Sequence, residues 1–256
     1  MSLTAQRPWL VASVTLVVLI ATTYTHNVLA VFPAYRQLHR TAPFYYVESI
    51  DQILVVALCV LAVWLMRRAA LRDVIHELGV SAPILPAFAF ALGVSLPMLI
   101  GFAFTRSLTP HLQLLPTLYL TLFSPFVEEL ESRGFGVRQL QRGTSWPFWV
   151  VVWPSAVLFG WSHVEQGENL PQMAGLFFLT GSGGVLFAWL VYRWQNLWVP
   201  VALHICMNLW WELFSVSKTA IGGWLPFALQ SLTILLAILV TLYCKRAKAP
   251  AAAPTA

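Results

Sequence analysis

The sequence predicts an all-α fold, a polytopic membrane helix bundle of about eight transmembrane helices. Three observations predict it. Hydrophobic residues make up 59% of the chain and charged residues 10%, against about 25% charged in an ordinary soluble domain. The mean hydropathy is +0.73. The apolar residues are also gathered into eight separate runs, several of them near the roughly 20 residues that a helix needs to cross a bilayer.

The first run, Trp9–Val31, follows Arg7. It is too long for a signal peptide and no A-x-A site closes it, so it reads as a retained span. The second, Ile50–Met66, leads into "RRAALRDVIHELGV", where Leu71, Val74, Ile75 and Leu78 recur at helical spacing opposite charged residues. That pattern suits a short helix in the membrane interface. The third and fourth runs are Ala82–Phe104 and Leu114–Val127. The fifth, Pro147–Trp161, follows the turn "RGTSWP", in which Gly143 stops one helix and Pro147 starts the next. The sixth, Leu170–Tyr192, carries Gly175, Gly181, Gly183 and Gly184, read as close helix contacts. The seventh, Trp198–Phe214, has Pro200 in its first turn, and Leu225–Cys244 is the eighth. The tail "KRAKAPAAAPTA" is a basic stop and then a low-complexity stretch expected to be disordered. The chain thus divides into residues 1–81 (two spans and an interfacial helix), 82–214 (the part carrying every motif) and 215–256 (a last span and the tail).

Lys and Arg orient the bundle. With both termini in the cytoplasm, Arg7, Arg67, Arg68, Arg72, Arg133, Arg138, Arg142, Arg193, Lys245, Arg246 and Lys248 fall inside. Arg36, Arg40, Arg106 and Lys218 fall outside, as the positive-inside rule requires. The acidic loop "VEQGEN" agrees with this orientation, and the expected location is a cell's inner (plasma) membrane. The basic residues stand singly or in pairs between apolar runs, so they orient helices and no nucleic-acid partner is expected. Cys59, Cys206 and Cys244 have no metal-ligand spacing and read as buried thiols.

Ten acidic residues serve the whole chain, yet "SPFVEELESRGFG" (Ser124 to Gly136) holds three of them with an arginine. Ionisable groups inside a membrane cost about 2.5–3.5 kcal/mol each on insertion scales, so they need partners or a purpose. Glu129 and Arg133 stand four apart, a spacing that lets them pair on a helix, while Glu128 is rotated away. A second cluster, "FGWSH", ends in His163; a third, "HICMN", sets His204 and Asn208 four apart on one helix face. The two arms flanking "RGTSWP" are nearly equal, so an antiparallel hairpin brings His163 to the height of the glutamates. His204 reaches that height only if 133–142 projects from the bilayer as a polar helix extension, and the site then opens toward the cytoplasm. Each cluster alone has a structural reading, as a Glu–Arg staple or a packed histidine. His26, His39, His76 and His111 are read that way. The functional reading rests on the conjunction.

Glu128-Glu129-x-x-x-Arg133, then Phe159-x-x-x-His163, then His204-x-x-x-Asn208 resemble, in this order, the CAAX protease and bacteriocin-processing (CPBP) family of glutamate-type intramembrane proteases. That family includes the Ras-converting CAAX endopeptidase. The resemblance covers about Ala82 to Phe214; the first two runs carry no motif. Ser132 stands where family members commonly have a bulky aromatic, with an extra acid at Glu131, which leaves subfamily and substrate open. The resemblance implies endopeptidase activity on a membrane protein or peptide, with no cofactor and no metal. Peptide hydrolysis needs an activated water, a stabilised oxyanion and a proton for the leaving amine. Glu128 suits the base, since a membrane interior strips a carboxylate of water and strengthens it as a base. His163 can hold the water, and His204 and Asn208 offer donors to the oxyanion. Glu129 and Arg133, with Phe159, frame the helix. Two alternatives stand beside this: a zinc protease using the histidines and Glu128 as ligands with Glu129 as base, and a non-proteolytic scaffold, immunity protein or small transporter.

Overall fold

A computed structural model describes residues 7–68 and 70–246, and all regular structure among them is helical. From residue 247 on, the tail expected to be disordered lies outside the described residues. The helices are α1 (Pro8–Thr23), α2 (Thr25–Leu29), α3 (Pro33–Thr41), α4 (Phe44–Arg67), α5 (Leu71–Glu77) and α6 (Leu85–Thr105). There follow α7 (Leu114–Leu118), α8 (Ser124–Glu129) and α9 (Arg138–Gly143), joined by π-helical turns at Tyr119–Phe123 and Leu130–Val137 into one rod over 114–143. Then come α10 (Phe148–Trp161), α11 (Leu170–Trp194), α12 (Trp198–Leu213) and α13 (Trp224–Arg246).

The boundaries follow local chemistry. Proline opens α1, α3, α6 and α11, where its missing N–H costs nothing. Asn169 caps α11, its side-chain oxygen accepting from the Gln172 N–H. The expected turn after Gly143 is present, and Pro147 directly precedes α10. Pro200 lies in the first turn of α12. Cys59, Cys206 and Cys244 are free thiols.

Among the described residues four helices are long and apolar enough to cross a membrane: Phe44–Arg67, Leu85–Thr105, Leu170–Trp194 and Trp224–Cys244. The other expected spans differ. The first run breaks at Tyr24, which leaves α1 with 16 residues; α10 has 14 and α12 has 16. At about 1.5 Å per residue these fall short of a hydrocarbon core roughly 30 Å thick.

Two expectations are overturned. The segment 133–142 is no solvated extension: Arg133, Phe135, Val137, Arg138, Gln139 and Leu140 are all buried against the rest of the protein. Its glycines admit neighbours, for a Cβ on Gly134 would lie 2.8 Å from the Leu78 carbonyl oxygen, and one on Gly143 would collide with Val11. Its polar groups are spent internally. Arg138 donates to the Glu77 and His76 carbonyls that end α5, and Arg67 and Arg142 share the Glu77 carboxylate. Helix α5 likewise buries only part of its expected apolar face. Val74 and Leu78 are buried in the core, while Leu71 and Ile75 of the same expected face are exposed.

His204 reaches the glutamates without any solvated extension because α12 begins inside the bundle. Leu197, just before it, packs on the positions of Gly134 and Gly79, and Trp198 Nε1–H donates to the Val80 carbonyl. The glycine reading of α11 holds in part. Gly181 meets Gly160 of α10 and Gly184 meets Ala156, whereas Gly183 faces open space.

Candidate active site

Glu128 and Glu129 lie at the end of α8, midway along the rod and between its two π-helical turns. Such turns leave carbonyls without their α-helical partners and often occur at functional sites. One is answered from outside the rod: Asn208 Nδ2–H donates to the Leu120 carbonyl at 3.1 Å. Replacing Asn208 by Ala strands that carbonyl. We expect a loss of about 1–3 kcal/mol, read as a lower melting temperature; unchanged melting would show that the bond is dispensable.

Glu129 pairs with Arg133 as the spacing predicts, at 3.2 Å, with the side chains 0% and 1% exposed. The same oxygen, Oε1, accepts from His204 Nδ1 at 3.0 Å. Glu129 therefore holds both a cation and an imidazole, a bond that sequence spacing could not reveal. Arg133 lays its guanidinium 4.4 Å from the Phe159 ring centroid and 5.6 Å from that of Phe187. Its Nη2 and Glu129 Oε2 have no hydrogen-bond partner among the described residues. Aromatic faces thus compensate part of the charge, and Gly184 makes room, since a Cβ there would lie 3.2 Å from Nη2.

Glu128 Oε2 lies 3.9 Å from His204 Nε2. Its other oxygen accepts from Ser124 Oγ–H at 2.7 Å, and Ser124 accepts from Gln52 Nε2–H at 2.8 Å. Gln52 is in α4, so a run that carries no motif nevertheless reaches the site. His163 lies just beyond α10. Its Nδ1 is 2.8 Å from the Phe159 carbonyl. The carbonyl accepts, so Nδ1 carries a proton and Nε2 is the nitrogen left for the cavity.

Glu128 and His163 line one cavity of about 300 Å³, with Glu131, Ser132 and Ser155 deep in its wall. Ser132 keeps that wall small, and its carbonyl accepts from Ser155 Oγ–H at 2.8 Å. His204 and Asn208 are not part of the lining. The cavity runs to the end of the bundle formed by Thr22–His26, Glu48–Gln52 and Ser162–Gln166. That end is opposite the one formed by Arg67, Arg138, Arg142 and Glu77. The cavity thus does not open at the arginine-rich end as expected: none of Arg67, Glu77, Arg138 and Arg142 lines it.

Residues 110–210 match the family model described as Rce1-like, Type II CAAX prenyl endopeptidase Rce1-like. No curated protein and no solved structure matches the chain. The matched stretch contains Glu128, Glu129, Arg133, Phe159, His163, His204 and Asn208.

Proposed function

We propose that this chain, which carries a domain of the Type II CAAX prenyl endopeptidase Rce1-like family over residues 110–210, is an intramembrane endopeptidase whose base is Glu128. The observation that carries the reading is the Glu129–His204–Glu128 alignment beside a polar cavity, inside an apolar bundle. Water held between Glu128 and His163 Nε2 attacks the peptide carbonyl carbon and gives its proton to Glu128. The oxyanion is assigned to His204 and Asn208, which stand behind the cavity lining on the α12 side of Glu128, with His204 Nε2 3.9 Å from Glu128 Oε2. Glu129 holds His204 Nδ1 at 3.0 Å, which turns Nε2 toward Glu128 and the reacting centre. Asn208 spends one N–H on Leu120 and keeps the second. Collapse of the tetrahedral species breaks the C–N bond, and Glu128 returns the proton to the leaving amine.

The eight apolar runs are proposed to seat in an inner membrane with both termini cytoplasmic, the shorter helices spanning locally thinned or protein-filled regions. In that orientation the cavity faces the outer side. The substrate is then a membrane-associated or lipidated polypeptide that presents its scissile bond from that side.

Glutamate chemistry is preferred to zinc because, among the described residues, Glu128, His163 and His204 do not each bring a ligand atom within 4.8 Å of the other two. Protein stripped with a strong chelator and dialysed should cleave a membrane-anchored peptide at no less than its original rate. Reversible loss of cleavage, restored by one equivalent of zinc, would make the histidines ligands and Glu129 the base.

A further inference from the structure

We infer that His26, His39 and Glu48 bind one divalent transition-metal ion of the zinc class at the mouth of the cavity. One ligand atom of each lies within 4.8 Å of the other two. The three come from three elements, His26 from α2, His39 from α3 and Glu48 from the start of α4. Among the described residues none of the three hydrogen-bonds another, so three electron-rich atoms converge without satisfying one another.

A second layer orients the site. Asp51 is 5% exposed and accepts from the Tyr35 hydroxyl at 2.7 and 2.6 Å. It also lies 3.1 Å from His26 Nδ1. A carboxylate there keeps the proton on Nδ1 and leaves the lone pair on Nε2, the arrangement by which outer carboxylates prepare metal-binding imidazoles. Arg36, the nearest cation in sequence to the α2–α3 turn, donates to the carbonyls of Ala30 and Val31 and is turned away.

The donor set selects the ion. Two imidazoles and one carboxylate match a three-ligand zinc site with a fourth position open, whereas calcium and magnesium need mostly oxygen ligands. Tetrahedral zinc at 2.0–2.1 Å sets ligand separations near ~3.4 Å, so the trio must close by about 1.4 Å at most. His39 is exposed and Glu48 half-buried, so side-chain rotation supplies that movement.

His26 and Glu48 also line the cavity that holds Glu128. A bound ion therefore ties α2 and α3 to α4 across its mouth and narrows entry without touching the glutamate. This regulatory consequence rests on the proposed protease reading; the binding itself does not.

The test titrates zinc into the metal-stripped full chain against a chromophoric chelator. One site per chain is expected, with affinity reduced about 100-fold or more in His39→Ala and in Glu48→Gln, and unchanged in His204→Ala. Zinc should raise the melting temperature of the unaltered protein but not of His39→Ala. It should also slow cleavage by the unaltered protein at concentrations that leave His39→Ala active. Equal zinc affinity in the unaltered protein and both mouth variants overturns the proposal, as does loss of the site in His204→Ala. If His39→Ala fails to fold, Glu48→Gln decides by the same titration. If nothing is cleaved by any form, the protease reading fails while the titration still judges the metal site.

Discussion

Replacing Glu128 by Gln is expected to lower peptide cleavage by at least about 10²–10⁴-fold, the range that a positioned general base contributes. The two side chains are nearly isosteric. An amide oxygen still accepts from Ser124 Oγ–H, so the Gln52–Ser124 link survives the change. What disappears is the capacity to take a proton from water and return it to the leaving amine. Melting should therefore stay close to that of the unaltered protein while turnover vanishes. His163→Ala and His204→Ala should lose cleavage as well. Only His204→Ala should also lower stability, since it removes a hydrogen bond from the buried Glu129 carboxylate. Near-normal cleavage of a genuine substrate by Glu128→Gln would remove the glutamate from the mechanism.

What could be read in advance was whatever depends on neighbours in sequence. Glu129–Arg133 is a one-turn relation, the α9–α10 hairpin is written in Gly143 and Pro147, and the helices track the apolar runs. What could not be read depends on partners far along the chain. The Glu129–His204 bond spans 75 residues and the Gln52–Ser124 bond 72. The polar residues of 133–142 looked like a solvated extension because nothing in their spacing shows that Glu77 of α5 receives Arg67 and Arg142. The mouth cluster was hidden similarly. The continuous apolar run Trp9–Val31 concealed the break at Tyr24 that turns His26 toward Asp51.

Arg133→Ala is expected to act on stability as much as on activity. Arg133 is 1% exposed, and its removal leaves the Glu129 carboxylate with His204 as its remaining hydrogen-bonded partner. Breaking a buried pair from one side costs about 3–5 kcal/mol, because the other charge stays behind without its counterion. The guanidinium also fills the space between Phe159, Phe187 and Gly184, so a void adds to the electrostatic loss. Lysine should rescue only part of this, since a point charge cannot reproduce a flat cation lying against the Phe159 ring. Removing both charges discriminates further. Glu129→Gln combined with Arg133→Met should melt above Arg133→Ala, because no uncompensated charge is then buried. It should remain inactive, since the Arg133–Glu129–His204 chain that holds the imidazole beside Glu128 is then broken. Were Arg133→Ala instead to melt normally and yet lose all cleavage, the arginine would belong with the groups that touch substrate, and the oxyanion would have a third donor.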